Sequence, residues 1–181
     1  MDPVRFTLCK TKGIGLIMWI TFLCHFPPLI EPTEVSLENA GLILKKEFEV
    51  PVETAYVFYF QFVLPSEKSS KINKIIGERY DYFCDGETEY KSIPANKREG
   101  LGLPIPLKAL IYDESSNKLI IEKTFYSLCV SSVGKNDLTR RIGKVELTRG
   151  DYRVEIFNLN PQPSFKDIKA SIFLVNSGNG K

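Results

Sequence analysis

Alternation of apolar and polar positions dominates the chain from residue 42 onward. Over residues 42–50, Leu44, Phe48 and Val50 fall on one face and Lys45, Glu47 and Glu49 on the other. A period of two is the mark of a strand with one buried face. Lys46 lies on the apolar face, which places this strand at a sheet edge, and Pro51 ends it. Residues 55–64 are the strongest strand. Tyr56, Phe58, Phe60, Phe62 and Leu64 recur at every second position, and Val57, Tyr59 and Val63 make the other face nearly as apolar. A strand apolar on both faces belongs at the centre of a sheet, where aromatics at this spacing supply core.

The rhythm breaks over residues 65–104. Residues 69–76 place Ile72, Ile75 and Ile76 on one helical face, and Gly77 stops the pattern, which predicts a short helix lidding one end of the fold. Tyr80, Tyr82, Phe83 and Tyr90 follow among Asp81, Asp85, Glu87 and Glu89, and Lys97 and Arg98 lead to Gly100-Leu101-Gly102. An excursion this long is uncommon in a compact domain, and such loops are often functional. Strands resume at 105–112 and 118–126, joined by the polar turn 113–117, and continue at 128–133, 142–148, 152–158 and 168–175. The Gly-, Ser- and Asn-rich residues 176–181 predict a flexible tail.

About seven short strands separated by turn signals predict an all-β, antiparallel sandwich of immunoglobulin or fibronectin type. Its sharpest local sign is the run from Leu147 through Gly150 to Tyr152, read as a strand end, a glycine turn and a strand opened by tyrosine. That is the pattern of a tyrosine corner, whose hydroxyl ties the strand to the loop before it. Val154 stands where an antibody-type domain has its second intersheet cysteine, so the expectation is for a fibronectin- or pilus-chaperone-like sandwich. Residues 42–175 form this domain, and residues 31–41, punctuated by Pro32, read as a linker.

The first 30 residues have another character. Arg5, Lys10 and Lys12 precede an uncharged run over residues 13–26. As a helix this run reaches about 21 Å, short of the bilayer core but matched to a signal-peptide core. Extended through residue 30 it could just span. Residues 1–30 therefore read as a signal peptide or membrane anchor, with the neutral domain outside the cytoplasm. Cys24 follows Phe22 and Leu23, where a lipoprotein signal wants small residues, so cleavage, lipidation and retention all stay open. Cys84 and Cys129 are the only cysteines of the domain. An oxidising compartment would let them bridge; otherwise they are separate buried thiols.

Charge and residue inventory exclude much. The formal net charge is +2, all of it in the first 30 residues, leaving 21 basic and 21 acidic groups beyond. A neutral domain lacks the basic footprint of nucleic-acid binding. His25 is the only histidine, so beyond residue 30 no histidine-based triad or histidine zinc site can be built. Complete phosphate-binding glycine motifs are absent, and Gly100-Leu101-Gly102 reads as loop punctuation. The acidic residues around Asp85 and the pair Arg140-Arg141 read as solvated loops. No catalytic residue, cofactor or metal is expected.

The stretch from Arg141-Ile142-Gly143 through Leu147, Gly150 and Tyr152 to Ile172, with the aromatic strand Tyr56 to Phe62, resembles small exported bacterial sandwich proteins of uncharacterised function. Some proteins of this layout serve as periplasmic immunity proteins. The resemblance implies a periplasmic or membrane-tethered binding protein, with a protein partner, possible toxins among them, and no enzyme activity. Tyr80, Tyr82, Phe83, Lys97 and Arg98 are the candidate contact residues, since aromatics and long cations make interface hot spots. A small-ligand or lipid-binding envelope protein is the alternative, and a carboxylate hydrolase ranks below both.

Overall fold

The computed structural model describes residues 27–64, 70–79 and 82–177. The expected N-terminal hydrophobic helix, residue Tyr80 and the end of the tail lie outside the described residues. Among the described residues no helix is long and apolar enough to cross a membrane.

Among the described residues nine strands form two antiparallel sheets, accompanied by one short α-helix. The strands are β1 (Ile30–Val35), β2 (Gly41–Val50), β3 (Thr54–Val63), β4 (Ile105–Asp113), β5 (Lys118–Ser127), β6 (Val130–Val133), β7 (Asp137–Leu147), β8 (Gly150–Asn158) and β9 (Lys169–Asn176), and helix α1 is Ser70–Ile76. One sheet has the order β1-β9-β3-β7-β6 and the other β2-β8-β4-β5. The pairing is nested: β1 with β9, β2 with β8, β3 with β7, and β4 with β5. The chain is thus one long hairpin, closed at the β4–β5 turn and wrapped so that successive strands of each arm alternate between sheets, except that β6 and β7 are neighbours in the same sheet. This is jelly-roll connectivity.

The antiparallel sandwich expected from the alternation is what the chain forms, but its strand order departs from the immunoglobulin arrangement. A period of two marks the inner face of a strand and is silent on which of two sheets the strand joins. Residues 31–35, expected as linker, form edge strand β1 on β9, and β2 begins at Gly41. Glu31, Pro32 and Glu34 hid this strand, because its edge position leaves them in solvent. Asn176, assigned to the tail, is the last residue of β9.

The core is built on β3, where Tyr56, Phe58, Phe60 and Phe62 are each 0% exposed. The Tyr56 hydroxyl donates to the Val52 carbonyl at 2.8 Å, and burial pushes its pKa up to about 12. At the crossover from β7 to β8 the Tyr152 hydroxyl donates to the Thr148 carbonyl at 3.1 Å, and Leu147 is buried beside it. Gly150 opens β8, close under the Tyr152 ring. The β4–β5 turn is held by Asp113, whose carboxylate accepts from the Ser115 and Ser116 hydroxyls and the Ser116 amide. These bonds, led by Ser115, pull the carboxyl down to about 2.

A bulge in β7 opposite Phe58 and Tyr59 brings Gly143 onto the inner face. A Cβ there would sit 2.1 Å from Cδ1 of Phe125, so this glycine lets the two sheets close. Gly143→Ala is expected to lower the unfolding free energy by about 1–3 kcal/mol through overpacking, read by urea denaturation.

Candidate functional site

The departure from strand rhythm after β3 becomes a lid and a stapled loop at one end of the sandwich. Helix α1 buries Ile76 completely and rests Ile72 and Ile75 on the core. Gly77, at φ 94°, ends it in the left-handed region. The helix end is then zipped to residues 100–103. Leu103 N–H donates to the Ile75 carbonyl at 2.8 Å, Glu78 N–H donates to Gly100 at 2.9 Å, and Gly77 bridges Leu101. A Cβ on Gly102 would sit 2.2 Å from the Ile76 carbonyl oxygen. Gly100-Leu101-Gly102 is therefore a contact strap where backbone lies on backbone, more than loop punctuation.

A second apolar cluster joins the strap residue Leu101 to Cys84, Ile93, Leu128 and Cys129, with Tyr90 and Tyr126 packed against it. Cys84 and Cys129 are joined in a disulfide with a Cα–Cα separation of 5.3 Å, within ordinary bridging range. The bridge fixes the 3₁₀ turn Tyr82–Asp85 to the corner between β5 and β6. Asp85 caps the next turn, accepting from the amides of Glu87 and Thr88 at 2.8 and 3.0 Å. Glu87 pairs with Lys123. Among the described residues no group of three or more His, Cys, Asp and Glu side chains is placed to hold a metal ion.

The expected contact residues separate here. Arg98 turns inward: its Nε donates to the Ile93 carbonyl at 2.8 Å, its Nη2 donates to Lys91 at 3.1 Å, and the guanidinium lies 5.0 Å from the Tyr90 ring centroid. Its bonds organise the loop from within, a direction that charge alone does not reveal. Lys97 stays exposed on the 3₁₀ turn Ala95–Lys97. Tyr82 and Phe83 supply backbone to the stapled turn, and their side chains lie outside what is described. Lys91, Ala95 and Asn96 are exposed beside Lys97, and sequence reasoning passed over them for want of an aromatic or a motif.

Arg140 is the larger surprise. Read with Arg141 as a solvated turn, it lies on the inner face of β7 opposite Phe60 and is 0% exposed. Its Nη2 donates to the Leu103 carbonyl at 3.0 Å and to the Ser127 carbonyl, and the Phe62 ring centroid is 6.0 Å from Cζ. Burial pulls the guanidinium down to about 9. The signal was present: Leu138, Arg140 and Ile142 repeat at a period of two, and the charge disguised it.

Residues 31–176 match the family described as "Domain of unknown function (DUF5625)". The chain belongs to this family. The matched span runs from the start of β1 to the end of β9, so the family unit is the sandwich with its lid and loop. The chain is also similar to a protein of Sulfurospirillum deleyianum, GEBA250068378, seen in a crystal structure. Identity is 19% and the TM-score 0.60, covering 83% of this chain and 99% of that one, which is a likeness of fold. DesR, a β-glucosidase of Streptomyces venezuelae crystallised with D-glucose, aligns at 10% identity and a TM-score of 0.31. That alignment covers 83% of this chain and 12% of DesR, and it is too weak to bear on fold or activity. No curated protein shows significant similarity to the chain.

The disulfide spans 45 residues. Closing a loop of this length in the unfolded chain predicts a loss of about 4 kcal/mol of stability for Cys84→Ser with Cys129→Ser, measured by urea denaturation.

Proposed function

We propose that this protein is a non-enzymatic, exported or membrane-tethered binding protein that meets a protein partner through the stapled loop over residues 82–104. The reading rests on one observation above others: a loop with few regular elements is tied down by a disulfide, a buried cluster and an inward arginine. A loop fixed before binding loses little conformational freedom on association, which is how preorganised surfaces gain affinity. The disulfide fits an oxidising compartment and so agrees with the apolar, basic-flanked N-terminal sequence. Neutralising a toxin by direct contact is the specific form of this reading. The exposed Lys91–Lys97 knob is the contact surface, with Arg98 and Tyr90 as its internal frame.

A shallow groove on the outer face of the four-stranded sheet favours a second reading, an envelope small-ligand or lipid-binding protein. The groove is about 390 Å³ and is lined by Gly41, Lys108, Leu110, Phe157 and Leu159 among others. Leu159 is 41% exposed and neighbouring Leu42 is 51% exposed.

Affinity capture from the native organism, with the full chain as bait and mass spectrometry as readout, separates the two. A stoichiometric protein partner is expected, its recovery falling at least about tenfold with Lys91→Glu and Lys97→Glu, the loss of roughly 1.4 kcal/mol. Equal recovery by the double variant removes the loop from the interface. A bait that carries an acyl ligand and no protein supports the groove instead.

A further inference from the structure

The outer face of the four-stranded sheet carries an apolar stripe that the register makes continuous. Leu42 stands opposite Phe157, and Phe157 is one step diagonally from Leu110. Tyr112, next on that face of β4, stands opposite Leu119. These five residues cross all four strands from β2 to β5. Leu42 is 51% exposed and Leu119 39%, and the groove of about 390 Å³ runs past Leu110, Phe157 and Leu159 at the first end. With strands about 4.8 Å apart and about 3.4 Å per residue along each, the stripe is roughly 20 Å long.

Its two flanks differ in charge. Towards β5, Lys108 is paired with Glu122, and that flank is neutral. Towards β2, Lys45 and Arg153 are already engaged by Glu155 and Glu114. Glu47, Glu49 and Asp151 are left exposed there, and among the described residues no cation pairs with them. Glu49 and Asp151 stand directly opposite each other across β2 and β8. Like charges in that position cost the sheet stability. Uncompensated carboxylates along one side of an apolar stripe are complementary to an apolar body with cations along one edge.

We infer that this stripe docks an amphipathic helix of a protein partner. The helix lays its apolar face on Leu42, Phe157, Leu110 and Leu119 and turns lysines or arginines towards Glu47, Glu49 and Asp151. An extended peptide lying across these side chains would leave its backbone N–H and C=O groups without strand partners, whereas a helix satisfies its own. A length of roughly 20 Å corresponds to about thirteen helical residues. A stripe open along its length also suits a helix better than a small ligand, which a concave pocket would enclose. This face is separate from the loop over residues 82–104, so the inference holds whether or not that loop meets a partner.

The probe is a labelled synthetic helix of about fourteen residues, with leucine at i, i+3, i+4 and i+7, lysine along one flank and alanine elsewhere. Fluorescence anisotropy with the full chain should show saturable binding. The same peptide with glutamate for lysine should bind at least about tenfold more weakly. Glu49→Lys, which relieves the repulsion with Asp151 and should keep the fold, is expected to weaken the lysine peptide by a similar factor, and so is Leu110→Asn. Lys97→Glu should leave the affinity unchanged, which separates this face from the loop. No binding to the wild-type protein, equal binding of the two peptides, or indifference to Glu49→Lys and Leu110→Asn overturns the inference. A face that takes a fatty acid and neither peptide overturns it in favour of the small-ligand reading.

Discussion

The row of Tyr56, Phe58, Phe60 and Phe62 on the inner face of β3 is the interaction from which the rest of the structure follows. β3 is the middle strand of the five-stranded sheet, so this row is paired on both sides and covered by the other sheet. Full burial of one such side chain contributes about 1.5–3 kcal/mol, and four in succession form the largest single block of apolar burial here. Register follows, because a slip of one residue would turn the row to the outside. With β3 fixed, β9 and β7 fall in beside it and carry β1 and β6 to the edges. The nested order then leaves β2, β8, β4 and β5 to close over the core.

The same row sets the end of the sandwich where α1 and the strap sit. Phe62 lies under Arg140, and Arg140 holds the Leu103 and Ser127 carbonyls. The lid therefore rests on a charged post standing in an aromatic floor. The disulfide secures the loop close to this post, since Cys129 lies between Leu128, whose carbonyl accepts from Gly102, and Val130, which pairs with Arg140. Two attachments, one polar and buried, one covalent, hold an excursion that has little regular structure of its own. Such a loop can vary at its exposed tips while the frame below keeps its shape.

Sequence made some of this legible. The β3 row, the helix ending at Gly77 and the hairpin around Asp113 rest on local periods and turn residues, and local chemistry decides them. The edge position of β2 could be read from Lys46, which faces the core side yet stays exposed. β1 was hidden because an edge strand with Glu31, Pro32 and Glu34 looks like linker. The wrapped strand order was hidden because it depends on which strands meet across the sheets, a non-local matter. At the candidate site, the loop could be located but its outward side chains could not. Arg98 and Lys97 are adjacent cations in sequence, and only backbone geometry sends one inward and the other to solvent. Arg140 was passed over for the same reason in reverse, since an arginine in a core position breaks the usual match of charge with surface.

The loop acts as an ordered platform only if its staple holds it and it can loosen separately from the sandwich below. Amide hydrogen exchange on the oxidised and the reduced protein tests this directly. The account predicts that the amides of Ile93, Lys97, Arg98 and Leu101, all hydrogen-bonded within the loop, are protected when Cys84 and Cys129 are joined and lose protection on reduction. Phe58 and Phe60 on β3 should keep theirs. Loop amides that exchange freely in the oxidised protein, or a loss on reduction that spreads into β3, would contradict it.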